Sequence, residues 1–82
     1  MFSSCEDFCY NIIPLSNGKY VLIDTRFVPY PLGANVYESI VLSCDKAGRI
    51  TNRGKEIDCL YSREKEMAIQ NHLSLLNKYS VK

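Results

Sequence analysis

The one histidine and the clustered cations are the side chains with chemistry to offer, and their spacing limits what that chemistry is. His72 is the single imidazole of the chain, the side chain whose ordinary pKa sits nearest neutrality. It falls on the apolar arc of a C-terminal helical segment, where a buried ring needs its nitrogens hydrogen-bonded. Glu38 interrupts an otherwise apolar strand face. The two read as structural or buried polar groups; if they met, they would form an acid and base couple. No nucleophile motif, Gly-rich phosphate loop or H-E-x-x-H signature accompanies them. We therefore expect no catalytic residues, no cofactor and no enzymatic activity.

Lys46, Arg49, Arg53 and Lys55 lie within ten residues that hold no acidic side chain. On the protruding end of a hairpin they form either a solvated turn or a grip on an anion such as a nucleotide phosphate, RNA or an acidic protein surface. The arginines matter most, because a guanidinium clamps a phosphate or carboxylate with two parallel hydrogen bonds. Tyr30, Tyr37 and Tyr61 are placed to stack on a base. The ligand-binding set expected from this pattern is Arg26, Tyr30, Lys46, Arg49 and Arg53.

Cys5, Cys9, Cys44 and Cys59 admit three readings: buried thiols, one zinc site, or a Cys44 to Cys59 disulfide. Zinc ribbons space their ligands as C-x2-C, and this chain has no such pair. The start, Met1-Phe2-Ser3-Ser4-Cys5-Glu6-Asp7, lacks the cationic and apolar regions of a signal peptide, which favours free thiols in a cytoplasm and no metal.

The elements that must position these residues follow from size and pattern. The chain has 82 residues, 46% of them hydrophobic and 23% charged, with a formal net charge of +1. That length makes one domain. The charge balance argues against a nucleic-acid-binding protein, and no run approaches the roughly 20 apolar residues of a membrane span. Residues 1–18 form an N-terminal arm ending at Asn17-Gly18, a turn signal. Lys19 to Val28 alternates as a strand, with Val21, Ile23, Thr25 and Phe27 on one face. Pro29 to Asn35 breaks it into a stiff loop carrying Tyr30.

Val36 to Cys44 is the next strand, with Val36, Ile40, Leu42 and Cys44 on the face that Glu38 interrupts. Asp45 to Gly48 and Asn52 to Gly54 are turns. Glu56 to Tyr61 returns, with Ile57, Cys59 and Tyr61 facing inward. These runs are too close in sequence for a crossover, so residues 19–61 make antiparallel strands. Ser62 is the expected N-cap of a helix from Arg63 to Tyr79, within a helical region 62–80. Ala68, Ile69, His72, Leu73, Leu75, Leu76 and Tyr79 share its apolar arc, and Met67 lies opposite. The fold class expected is α+β: a small antiparallel sheet of three to four strands with one C-terminal helix packed on one face.

The order of these pieces resembles a kind of short bacteriophage protein with an E-T-M-V-F-like strand and a C-terminal A-x-x-G-H helix. The matching pieces are Asp24-Thr25 before the Pro29 to Gly33 loop, Tyr37-Glu38-Ser39-Ile40-Val41-Leu42, Ile57-Asp58 with Tyr61-Ser62, and Ala68 to His72. Ser39 and Ile40 stand where those proteins have T-M, Leu60 stands for an Arg, and Asn71 for the Gly before His72. The resemblance implies a phage origin and a life in the host cytoplasm. By analogy of setting it implies an accessory protein that counters a host defence by non-catalytic binding. Such a protein either sequesters an anionic signalling nucleotide or occludes a host defence protein. The alternative is a structural or virion-associated protein with only protein contacts. A core this small also favours a homo-oligomer.

Overall fold

The computed structural model describes residues 6–28 and 36–80. Four strands follow one another, β1 (Glu6–Pro14), β2 (Tyr20–Val28), β3 (Val36–Cys44) and β4 (Glu56–Ser62), and one helix, α1 (Lys65–Tyr79), closes the chain. The sheet order is β1-β2-β3-β4 and every neighbouring pair is antiparallel. The fold is α+β, as the pattern predicts. The fourth strand comes from the segment expected to be an arm, and Tyr30 and Cys5 lie outside the described residues.

Alternation along the strands gives the sheet two faces. Asn11 and Ile13 of β1, Val21, Ile23 and Thr25 of β2, Ser39 and Val41 of β3, and Asp58 and Leu60 of β4 face the helix. Ile13, Val21, Ile23 and Val41 form the core with Leu75 of α1, and Leu15, Leu60, Leu76 and Tyr79 pack around it. Burial of each large aliphatic side chain there stabilises the fold by roughly 1.5–3 kcal/mol. The outer face carries Tyr10, Ile12, Leu22, Asp24, Arg26, Glu38, Ile40, Leu42, Cys44, Cys59 and Tyr61.

Two expectations are corrected. On β4 the residues turned to the helix are Asp58 and Leu60; Ile57 and Tyr61 are exposed, and Cys59 is half-buried on the outer face. A register shift between Val41 and Leu42 places an extra residue in β4 here, and a bulge of this kind redirects side chains. The helix starts at Lys65 with Glu64 as its N-cap residue. Ser62 Oγ instead accepts from Glu64 N–H at 3.0 Å and donates to Glu64 O at 2.8 Å. Of the apolar arc, Ala68, His72 and Leu75 are buried, whereas Ile69 and Leu73 stay exposed with Met67, because one helix on one sheet buries only a narrow stripe.

The turn after β3 is built by its first residue. Asp45 Oδ1 accepts from the backbone N–H of both Ala47 and Arg49 at 2.9 Å, and Asp45 N–H donates to Arg49 O at 2.9 Å. Gly48 completes it at φ +89, where a Cβ would lie 2.8 Å from Ile12 Cδ1. The turn therefore curls onto the outer face as far as β1. Gly18, at φ +84, has open space around its Cα.

Gly18→Ala should cost about 1–2 kcal/mol from positive φ alone. Gly48→Ala should cost more, and adding Ile12→Val should recover part of the excess; urea unfolding of the three variants measures this.

Candidate functional site

Helix α1 is held across the sheet by a chain of hydrogen bonds that begins at His72, part-buried toward Asn11 and buried toward Thr25 and Ser39. Its Nε2 lies 2.8 Å from Asn11 Oδ1 and its Nδ1 lies 2.7 Å from Thr25 Oγ1. A carbonyl oxygen only accepts, so Nε2 carries the proton and Nδ1 accepts from the Thr25 hydroxyl. Thr25 Oγ1 in turn accepts from Ser39 Oγ at 2.7 Å. Thr25 and Ser39 are register partners on β2 and β3, so four residues tie β1, β2, β3 and α1 at one point. Thr25 is 0% exposed, Ser39 1% and His72 4%. The two hydroxyls have no surface from which to meet a substrate. Burial lowers the His72 pKa below its ordinary value, since a charged imidazolium loses hydration there.

Glu38 is on the other side of the sheet, one residue from Ser39 in a strand whose side chains alternate. Both ring nitrogens of His72 are occupied by Asn11 and Thr25, so the two sequence candidates do not meet. Glu38 is half-buried opposite Arg26 and Tyr61. Arg26 Nη2 donates to Asp24 Oδ2 at 2.8 Å, on the outer face and away from the turn that carries Lys46, Arg49 and Arg53. A second tie joins α1 to β4: Asp58 Oδ2 accepts from Lys78 Nζ at 2.7 Å and from Tyr79 Oη at 3.0 Å. The Lys78 and Tyr79 hydrogen bonds hold the Asp58 carboxyl below its ordinary pKa.

Cys9, Cys44 and Cys59 are free thiols. Burial raises the pKa of each, which keeps them protonated at neutral pH and poor as nucleophiles or metal ligands. Cys44 stands opposite Ile50 and Cys59 opposite Ile40, so the two do not face each other across the sheet. Among the described residues no three His, Cys, Asp or Glu side chains converge as a metal site, and no helix is long and apolar enough to cross a membrane.

Two lysines, Lys19 and Lys46, share a concavity. An open groove of about 750 Å³ lies at the end of the sheet where the β1–β2 turn and the segment after β3 stand side by side. Lys19, Tyr20, Ser43, Asp45, Lys46, Thr51 and Asn52 supply its polar lining, and Leu15, Val21, Cys44 and Ile57 its apolar wall. Lys46 is the one sequence candidate that lines it. Arg49 and Arg53 are exposed on the same connection, Arg53 at φ 58 beside Asn52 at φ 55. Lys19 and Tyr20 were not among the candidates; the signal for them was Asn17-Gly18, whose turn delivers both to the groove.

Comparison with protein-family models, with curated proteins and with solved structures finds no match for this chain.

The unfolded state takes up the His72 proton near pH 6.5, and the folded state only at a lower pH. The stability that neutral His72 contributes is therefore present above about pH 6.5 and lost as pH falls through its folded pKa. Urea midpoints should fall between pH 7.5 and 5. Thr25→Val, which keeps the shape but strands Nδ1 and the Ser39 hydroxyl, should cost about 1–3 kcal/mol at pH 7.5.

Proposed function

We propose that this is a viral accessory protein that counters a host defence without catalysis, by sequestering an anionic signalling nucleotide in the host cytoplasm. The observation that carries the reading is the groove at the turn end of the sheet. Its volume is that of a small-molecule site, and it combines an apolar wall with a few convergent polar groups. Asp45 spends one carboxylate oxygen on two backbone amides, whereas Lys19 and Lys46 form no ion pair among the described residues. The lining therefore carries two lysines against one aspartate, and Arg49 and Arg53 add positive charge on the same connection.

Self-association belongs to the same proposal. Tyr10, Ile12, Ile50 and Tyr61 are exposed on the sheet face that the one helix leaves open. A second copy of the chain would bury them and enlarge a small core. Occlusion of a host effector is the second reading. It is favoured by the exposed guanidinium groups of Arg49 and Arg53, which suit the carboxylates of an acidic protein surface.

Native mass spectrometry of the purified protein, alone and with cyclic dinucleotides, cyclic ADP-ribose isomers and linear adenine nucleotides, tests these readings. The expected spectrum shows a symmetric oligomer with a stoichiometric nucleotide adduct. An assembly that takes up no nucleotide overturns sequestration and moves the assignment to a protein target, to be sought by pull-down from infected cells.

A further inference from the structure

We infer that the groove is a site for a terminal phosphate monoester, held as a dianion between Lys19 and Lys46 with the nucleoside against Tyr20 and the apolar wall. The inference rests on the nucleotide-binding reading above and narrows it to one ligand class. Three observations lead to it.

The first is the placement of the two lysines. Tyr20 and Cys44 are paired at the end of the β2–β3 ladder. Lys19 comes one residue before that pair and Lys46 two residues after it, so they enter one groove from adjacent strand ends. Neither is ion-paired among the described residues. Two lysines against the one carboxylate of Asp45 leave the lining with a surplus of positive charge, which attracts a doubly charged anion more strongly than a singly charged one. A phosphate monoester carries about −1.5 to −2 at neutral pH, whereas each phosphate of a cyclic diester carries one charge.

The second is that both backbones are held before any ligand arrives. On the β1–β2 side Asn17 Oδ1 accepts from Lys19 N–H at 3.0 Å, Leu15 N–H donates to Lys19 O at 2.7 Å and Gly18 N–H donates to Leu15 O at 3.1 Å. On the β3 side the Asp45 carboxylate pins residues 45–49 through the amides of Ala47 and Arg49. Asp45 is the one carboxylate of the lining, and its Oδ1 is turned to those amides. Ordering cost on binding then falls mainly on the two lysine side chains.

The third is the remainder of the wall. Ser43, Thr51 and Asn52 offer hydroxyl and amide groups, and Tyr20 an aromatic surface, beside Leu15 and Ile57. This is the mixture that a ribose and a base require, hydrogen-bonding groups for the one and an apolar or aromatic surface for the other. An inorganic anion would use only the lysine end.

Isothermal titration of the full chain at low salt with AMP, 3′,5′-cyclic AMP, a cyclic dinucleotide and adenosine tests this, together with the exposed-site variants Lys19→Met and Lys46→Met. AMP should bind roughly tenfold tighter than cyclic AMP. Adenosine should bind weakest. Each lysine variant should lose most of the AMP preference while keeping the parent circular dichroism spectrum and urea midpoint. Equal affinity for AMP and cyclic AMP, or unchanged AMP binding in both variants, overturns the monoester inference and leaves sequestration standing. Cyclic dinucleotide binding without AMP binding does the same. Binding of none of these compounds overturns the monoester inference, and a native spectrum that also shows no adduct with cyclic ADP-ribose isomers overturns sequestration with it.

Discussion

A histidine in the middle of a helix that lies on a sheet has two ring nitrogens to satisfy away from water, and the rest of this structure is arranged so that it can. Nδ1 takes the hydroxyl of Thr25 and Nε2 the carbonyl of Asn11. These bonds require Thr25 and Ser39 to face the helix, and strand alternation then sends Asp24, Arg26 and Glu38 to the other side. A slip of one residue in β2 would put an aspartate and an arginine under the helix instead. The buried polar chain thus sets the register on which both faces depend.

Polarity is ordered along the strands as well as across them. Under the middle of α1 the interface is the hydroxyl and imidazole chain. Further along it becomes Ile23, Val41 and Leu75, then Ile13 and Val21. Beyond the last ladder pair the sheet ends in two pinned turns with lysines between them. Each zone excludes the chemistry of the next: hydroxyls close enough to bond one another leave no opening for solvent, and the aliphatic zone separates them from the charged end. The ties at the helix are therefore free to be rigid while the turn end stays open.

The fold was legible where local pattern and tertiary role agree. β2 and β3 alternate cleanly, and the helix announces itself by period. β1 was not legible, because Asn11 and Pro14 interrupt an apolar run and Asn11 becomes intelligible only once it meets His72, 61 residues away. On β4 the apolar residues are Ile57, Cys59 and Tyr61, so pattern alone turns that face inward. The structure turns Asp58 inward because Lys78 and Tyr79 of the helix receive its carboxylate, a contact that no window of sequence contains. Thr25 reads as an ordinary strand former, and its hydroxyl acquires meaning from Ser39 opposite. In the groove Lys46 was visible as part of a cationic run, whereas Lys19 stands alone in sequence and joins it through the sheet order.

That sheet order has a consequence for how the chain reaches its native state. Every strand pairs only with its neighbour in sequence, so each hairpin closes a short loop at small entropic cost and can form before the others. The helix is the exception: it packs on β1, β2 and β3 as well as on β4, and its His72 to Asn11 bond spans most of the described chain. Helix docking is then the event that converts a string of local hairpins into a cooperative unit, and the imidazole acts as its latch.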